Sequence, residues 1–395
     1  MNKTKLLSIV LLFTVSFCLF SCKNSKNNTS SNTPNNPTQP SEELSKPNKA
    51  SVTAPRTFNK ILVGKVDKYN IFAQLQRNEK ELYGTYRYES NKAQIVSAVS
   101  PSILSLSGNV EDDGSFALTE TEFVPMESGP VNKETGKFTG KLLAEERNGQ
   151  TFVKINGNWS KADGSRTFNF FLYEKTFSLG DKTQIIDKEI KEEDKNKKYS
   201  FNLSYPQIQG SNQPNIEKFN QQLLEKVQKI YQEFKENTSE NEADPAFADS
   251  ETGSYYDGSY IIEFANKDLI SVVFYSESYY LGAAHPNTSV MSFNFNLNTG
   301  QEIKLEDLFL KNSNYLEKID KICYSLTKNT DTGFFFDTSP PRENIWCWNI
   351  TERGIYFHFG IAHVYGDVGT ISIPYNELKD VVDLAGPLSS IISYK

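Results

Sequence analysis

Apolar and polar residues alternate with a period of two along most of residues 56–179. Turn-forming sequences such as Asp112-Asp113-Gly114 and Asp163-Gly164 separate the alternating segments. Because a strand places successive side chains on opposite faces, this pattern predicts a meander of half-buried strands. We therefore predict an all-β domain over residues 56–179, closed or curled as a barrel or a sandwich. The segments are KILVGKV, YNIFAQLQ, ELYGTYRYE, ILSLSGNV, GSFALTE, GKFTGKLLAE, QTFVKINGNWS and SRTFNFFLYE.

Residues 182–395 combine helical and strand periodicities. Residues 215–237 and 315–329 carry apolar side chains at intervals of three and four, which predicts two amphipathic helices. Because strands and helices are segregated along this region, we predict an α+β domain with an antiparallel sheet and two main helices. The charge run KEIKEEDKNKKY at residues 188–199 is predicted to be a solvated linker. The predicted strands are YSFNLSYPQI, SYYDGSYIIEF, LISVVFYSESYYL, TSVMSFNFNLN, NIWCWNI, GIYFHFG and GTISIPY.

The first 55 residues carry targeting signals. Two lysines precede an apolar stretch, which predicts a signal peptide over residues 1–21. The sequence Leu19-Phe20-Ser21-Cys22 resembles the lipobox of bacterial lipoproteins, which implies a lipid anchor at Cys22 that attaches the protein to a membrane. The alternative is an ordinary secretory signal with an unmodified cysteine. Residues 22–55 are rich in Asn, Ser, Thr, Pro and Lys, and this composition predicts a disordered tether.

The charge of the chain argues against one class of partner. The formal charge is −7, and removal of residues 1–21, which contain two lysines and no acids, makes it −9. Phosphate contacts from cationic side chains supply most of the affinity for nucleic acids. We therefore expect no nucleic-acid partner.

Two of the four cysteines, Cys323 and Cys347, lie outside the predicted signal and lipidation site. An extracytoplasmic compartment permits a disulfide between them. Two buried free thiols are the alternative. Neither cysteine has the spacing of a metal site, so we expect no metal and no other cofactor.

A run of residues ahead of the strand TSVMSFNFNLN holds the candidate site. In one interpretation it is a tight turn, favoured by its Gly and Pro, in which His285 bonds to a backbone carbonyl. In the other, His285 is a general base near Glu277 with His358 or His363. The histidines match no HExxH motif, and the sequence has no GxSxG elbow. We therefore expect a binding surface or structural turn and no catalytic residue. Its residues are Tyr279, Tyr280, Gly282, His285, Pro286 and Asn287.

Several elements in this order resemble a known family. They include Gly282-Ala283-Ala284-His285-Pro286, Asn296-Leu297-Asn298-Thr299-Gly300, Leu305-Glu306-Asp307-Leu308-Phe309 and Gly354-Ile355-Tyr356-Phe357-His358-Phe359. The resemblance is to the RsiV/PdaC-like extracytoplasmic domains, found in anti-sigma factors and in peptidoglycan deacetylases, and it covers residues 195–390. The family usually has Gly-Gly-Ala-His-Pro at the first element, from which this chain departs.

The resemblance implies a domain that recognises a component of the cell envelope. The RsiV branch binds lysozyme, and the PdaC branch owes its chemistry to a separate deacetylase domain, which we do not expect in this sequence. Exposed members of the tyrosine-rich strands could stack on sugars or anchor a protein partner.

Three functions remain open from the sequence. The expected one is a non-catalytic, lipid-anchored protein of the bacterial cell envelope with its folded domains outside the cytoplasm. It would act as a recognition or sensor module for a wall-acting protein or a peptidoglycan-type glycan. The alternatives are a cell-wall hydrolase or deacetylase with an unrecognised active site, and a structural envelope protein.

Overall fold

The computed structural model describes residues 54–96, 103–124, 131–147, 150–180, 183–241, 253–328, 341–363 and 367–392. These residues are mainly β-structure: a closed barrel is followed by two sheets with helices packed on them. The predicted signal peptide and Cys22 lie outside the described residues, as does nearly all of the predicted tether. The boundaries given above for the two domains stay a prediction.

Eight antiparallel strands close into an up-and-down barrel within the region predicted to be all-β. They are β1 (Thr57–Val66), β2 (Tyr69–Asn78), β3 (Glu81–Tyr88), β5 (Ile103–Val110), β6 (Ser115–Val124), β7 (Val131–Arg147), β8 (Gln150–Lys161) and β9 (Thr167–Glu174), with the two-residue β4 (Gln94–Ile95) lying outside the barrel. Pairing of β1 with both β2 and β9 closes the structure. Alternate side chains such as Leu62, Phe138 and Leu172 fill the interior, which is why the sequence alternates.

The backbones of two neighbouring barrel strands, β7 and β8, approach closely where two glycines face each other. Gly140 of β7 is the register partner of Gly157 of β8. A Cβ atom at Gly157 would lie 2.0 Å from the carbonyl oxygen of Thr139. Only glycine fits so close an approach of two backbones.

A six-stranded sheet follows, in the order β10-β11-β12-β13-β14-β15. Its strands and its helix are β10 (Gln184–Asp194), β11 (Tyr199–Gln209), α1 (Pro214–Asn241), β12 (Ser254–Ala265), β13 (Leu269–Tyr279), β14 (Asn287–Asn296) and β15 (Gln301–Glu302). The apolar stripe of α1 covers one face: Phe219 and Phe234 are buried against aromatic residues of the sheet. The predicted helix at 215–237 is therefore confirmed, with longer ends.

Two predictions about this sheet are wrong. Most of the charge run at 188–199 belongs to an edge strand, β10, which begins before the run. The charged side chains of β10 face solvent, while its Ile185 and Ile190 pack against the core. The sheet is also mixed and not purely antiparallel, since β11 and β12 pair in parallel. Parallel neighbours require a long crossover, and the α1 segment provides it.

A four-stranded sheet, in the order β16-β17-β18-β4, completes the fold. Its elements, with the helices around it, are α2 (Tyr315–Thr327), β16 (Ile345–Ile350), β17 (Gly354–Gly360), β18 (Val368–Pro374), α3 (Tyr375–Leu378) and α4 (Ser389–Ile392). The second main helix, α2, confirms the prediction at 315–329. β4 comes from the connection between barrel strands β3 and β5, so the barrel chain contributes the edge of this sheet.

The two sheets are joined by hydrogen bonds as well as by apolar packing. The Asn294 side-chain amide on β14 donates to the Trp348 carbonyl on β16 at 2.7 Å. Within the described ranges, no helix combines the length and the apolar character needed to cross a membrane.

Candidate functional site

The segment between β13 and β14 is a defined reverse turn. The Ala283 N–H donates to the Tyr280 carbonyl at 2.8 Å, and Gly282 has a φ of +94°. A positive φ at the third turn position favours glycine, so the local sequence accounts for this geometry. The Leu281 N–H donates to the Ser254 hydroxyl at 2.9 Å, which ties the turn to the start of β12.

His285 lies on the surface beside a second histidine. Its Nδ1 is 2.8 Å from the carbonyl oxygen of its neighbour Pro286. Its ring stacks on that of His363, with 3.6 Å between centroids and 15° between planes. His363 Nδ1 is 2.9 Å from an Asp367 carboxylate oxygen, and the other oxygen accepts the Thr288 N–H at 2.8 Å. Asp367 thus joins the first residues of β14 to the β17–β18 connection.

His358, considered above as a partner for His285, is in the core. Its side chain is fully buried between Thr370 Oγ1, 2.9 Å from Nδ1, and Asn349 Oδ1, 3.0 Å from Nε2. Since a carbonyl oxygen only accepts, Nε2 carries the proton and Nδ1 accepts from the threonine hydroxyl. Burial lowers the pKa of His358 to about 3, so the ring is neutral.

Glu277 is hydrogen-bonded to a tyrosine. The Tyr255 hydroxyl donates to its carboxylate at 2.5 Å, and the Tyr255 and Tyr279 rings stack with centroids 5.9 Å apart. Burial, followed by the bond to Glu277, raises the pKa of Tyr255 to about 12. Tyr280, by contrast, packs against Phe234 in the core.

A tryptophan extends the exposed aromatic area near the β17–β18 connection. Trp346 is 54% exposed, and its indole covers Gly360, where a Cβ atom would lie 2.2 Å from the indole Cζ2. We call the exposed and half-buried side chains of this area the turn surface. Its exposed members are Glu277, His285, Asn287, His363 and Trp346, and its half-buried members are Tyr255 and Tyr279. Their side chains offer rings and polar groups.

The structure has Cys323 and Cys347 as free thiols, so the disulfide considered above is not formed. Cys323 packs in the core from α2, whereas Cys347 on β16 is hydrogen-bonded to Ser292. Burial raises the pKa of the Cys347 thiol to about 11, which makes it a poor nucleophile.

Among the described residues, no three His, Cys, Asp or Glu side chains are arranged to hold a metal ion.

Sequence reasoning missed the buried polar network around His358. The Asn349 amide donates to Ser271 Oγ at 2.9 Å, and that hydroxyl donates to Asn294 Oδ1 at 2.6 Å. The network spans β13, β14, β16, β17 and β18. A polar residue within otherwise apolar strands is the only sequence signal for it.

Comparison with known proteins places one region of the chain. A family model described as "Deacetylase PdaC" matches residues 192–288, from the end of β10 to the first residues of β14. The peptidoglycan-N-acetylmuramic acid deacetylase PdaC of Bacillus subtilis is 26% identical over 195 residues, which is 47% of this chain and 39% of that protein. The chain thus spans well under half of this relative's length.

Two solved structures are also similar. A DUF3298 family member from Bacteroides fragilis has a TM-score of 0.41 and 14% identity, covering 55% of this chain and 100% of that one. A DUF3298 protein from Pseudomonas aeruginosa has a TM-score of 0.35 and 13% identity, covering 51% and 94%. The predicted resemblance is confirmed: the chain contains a PdaC-like domain.

Proposed function

We propose that this protein is a non-catalytic recognition module of the bacterial cell envelope. The turn surface binds a wall-acting protein or a peptidoglycan-type glycan, and a lipid anchor at Cys22 holds the module at a membrane. The observation that carries the proposal is the grouping of stacked tyrosines, stacked histidines and an exposed tryptophan at the β13–β14 turn and the neighbouring β17–β18 connection.

This surface is organised in advance of binding. Asp367 holds both the His363 ring and the Thr288 backbone, and Ser254 holds the turn backbone. Side chains fixed before binding lose little conformational entropy on association, and tyrosine and tryptophan supply large contact areas per ordered side chain. Aromatic rings at an exposed, rigid turn favour recognition over catalysis.

The test is binding by the purified full-length chain of two probes, soluble muropeptides and lysozyme. We expect saturable binding of one of them, weakened about tenfold or more when Tyr255 and Tyr279 are both changed to alanine. Tyr83→Ala, which removes an exposed ring from the outer wall of the barrel, is the matched control and should leave affinity unchanged. Equal affinity of the double variant and the control would contradict the proposal.

The relative's name supplies a second candidate, a peptidoglycan deacetylase, beside the cell-wall hydrolase that the sequence left open. Its assay is release of acetate or of soluble fragments from peptidoglycan by the purified chain. Turnover that is lost in His285→Ala or Glu277→Gln, with the fold retained, would replace recognition by catalysis. We expect no turnover, because the Glu277 carboxylate is engaged by Tyr255 and His358 is neutral in the core.

A further inference from the structure

A second site of a different kind lies between the barrel and the sheets. A cavity of about 220 Å³ is bounded on one side by β1, β2 and β9 and on the other by β12, β17 and the β16–β17 turn. It opens into a neighbouring hollow of about 620 Å³, with which it shares Val63, Tyr173, Lys175 and Glu352. Together they form a groove along the junction, hereafter the junction groove.

The wall of the junction groove contains charged groups without enough partners. Glu263 is 4% exposed, and no described residue donates a hydrogen bond to its carboxylate. Burial raises its pKa, opposed by the nearby charges of Arg87 and Lys175. The Lys175 ammonium has three N–H groups, and in the described part of the chain it has one acceptor, the Glu263 carbonyl at 2.6 Å. The ammonium also lies over the Phe72 and Phe177 rings, 5.5 and 5.4 Å from their centroids, and both Lys175 and Glu263 line the cavity, where a bound molecule would meet them.

The residues that line the cavity carry three cations and three carboxylates, and the buried Arg87 guanidinium lies behind them. Lys65, Lys175 and Arg353 oppose Glu89, Glu263 and Glu352, and the Arg353 guanidinium is 3.1 Å from the Glu89 carboxylate. A small ion of either sign would meet like charges beside opposite ones on this wall. A hydroxyl group suits such a wall because it accepts from the ammonium and donates to the carboxylate.

Two aromatic rings stand at the same groove. Phe171 and Tyr173 are on one face of β9, are 49% and 48% exposed, and both line the cavity. Two residues along a strand are about 7 Å apart, close to the width of one sugar ring. Flat rings beside hydrogen-bonding groups suit a ligand with an apolar face and a polar edge.

We propose that the junction groove binds a neutral saccharide, with one pyranose ring in the cavity. The C–H face of the ring stacks on Phe171 and Tyr173. Its hydroxyls accept from the Lys175 ammonium and donate to the Glu263 carboxylate. The site uses none of the residues of the turn surface, so it stands or falls independently of the function proposed above.

Ligand-observed NMR titration of the full-length chain tests this proposal. The neutral probes are the methyl pyranosides of glucose, galactose and mannose, with N-acetylglucosamine. Glucosamine and glucuronate are the cationic and anionic comparisons. We expect saturable binding of at least one neutral probe, about tenfold tighter than of either charged sugar. Tyr173→Ala should weaken it about tenfold, and the control Tyr83→Ala should leave it within about twofold.

Glu263→Gln separates binding from a purely structural role. The change keeps the size of the side chain and removes one negative charge, so that cations outnumber carboxylates among the residues that line the cavity. We expect glucuronate to gain affinity relative to the neutral probe by about tenfold, which a charge cluster that only holds the barrel to the sheet would not produce. Three results would overturn the proposal: no saturable binding by any neutral probe, equal affinity of Tyr173→Ala and Tyr83→Ala, or a glucuronate affinity indifferent to Glu263→Gln.

Discussion

His358 and the stacked pair of His285 and His363 are in opposite environments within the same part of the fold. The buried ring has a partner at each nitrogen and a pKa lowered to about 3. The paired rings are exposed, and each hydrogen bond they make is to a residue of their own loop. The first arrangement stabilises the packing of two sheets. The second leaves ring faces and nitrogens available to a ligand.

Residue type alone therefore does not locate a binding site in this fold. A histidine costs little at the surface, but in the core it must be fully hydrogen-bonded because unpaired buried polar groups are destabilising. Both ring nitrogens of His358 have hydrogen-bond partners, which indicates a structural role. The side chains of the turn surface keep unused hydrogen-bonding capacity, which indicates a role in binding. Four substitutions or conditions test this separation, in order of decreasing effect.

The largest effect is expected for His358→Leu. The leucine leaves the Thr370 hydroxyl and the Asn349 carbonyl without their partner in a site closed to water. Each orphaned group costs roughly 1–3 kcal/mol, so we expect the free energy of unfolding to fall by about 3 kcal/mol. Urea denaturation measures the change, and His285→Leu is the matched surface control. A loss below about 1 kcal/mol would mean that the network is not maintained by the imidazole.

Mild acid should weaken the same packing through His358. Its folded-state pKa of about 3 is below the unfolded value of 6.5, so the unfolded state binds the extra proton as the pH falls. The stabilisation is complete above pH 6.5 and is lost progressively as the pH falls toward 3. Between pH 7 and pH 5, the unfolding free energy should decrease by about 2 kcal/mol from this group.

The His358→Leu variant isolates that contribution, because it lacks the imidazole while the carboxylates titrate in both proteins. Urea denaturation at pH 7 and pH 5 should show a difference between the two proteins that shrinks by about 2 kcal/mol. A difference independent of pH would show that His358 has the same pKa in the folded and the unfolded protein.

Asp367→Asn should lower the free energy of unfolding by a smaller amount. Asp367 has a φ of +64°, a conformation that asparagine tolerates, so the change removes charge with little backbone cost. The amide keeps one acceptor for the Thr288 N–H or for His363 but not both. We expect a loss of about 1 kcal/mol in unfolding free energy.

The accompanying signature of Asp367→Asn is a shift of the His363 ring resonances in NMR, with those of His358 unchanged. The control is Glu277→Gln, which removes a carboxylate from the same surface without touching Asp367. Equal responses of His363 to both variants would show that Asp367 does not position that ring.

The strands and the two main helices were predictable because their periodicity is local. Alternation in segments such as SYYDGSYIIEF and three-four spacing in residues 215–237 each report a face that must be buried. β10 was missed because an edge strand facing solvent reads as a polar run. β4 was missed because two residues have no period, and their pairing with β18 joins residues far apart in sequence.

The candidate site was predictable only in part. Gly282 and Pro286 mark the turn through local backbone preferences. The stacking of His285 on His363 and the contact of Thr288 with Asp367 join two loops about 80 residues apart, which no local pattern reports. The burial of His358 was not predictable because both faces of β17 are buried. The alternation of residue types along such a strand does not distinguish a buried face from an exposed one.

The smallest effect is expected for His285→Ala. The exposed ring contacts His363 and the carbonyl of the adjacent residue, while the turn backbone is held by Ser254 and by the bond between Ala283 and Tyr280. We therefore expect the unfolding free energy to change by less than about 0.5 kcal/mol. The affinity for whichever of lysozyme or muropeptides the chain binds should nevertheless fall, and His285→Phe, which keeps a ring to stack on His363, should recover part of it. A loss of stability as large as that of His358→Leu would instead show that His285 has a structural role. The contrast between the buried and the exposed histidines would then be contradicted.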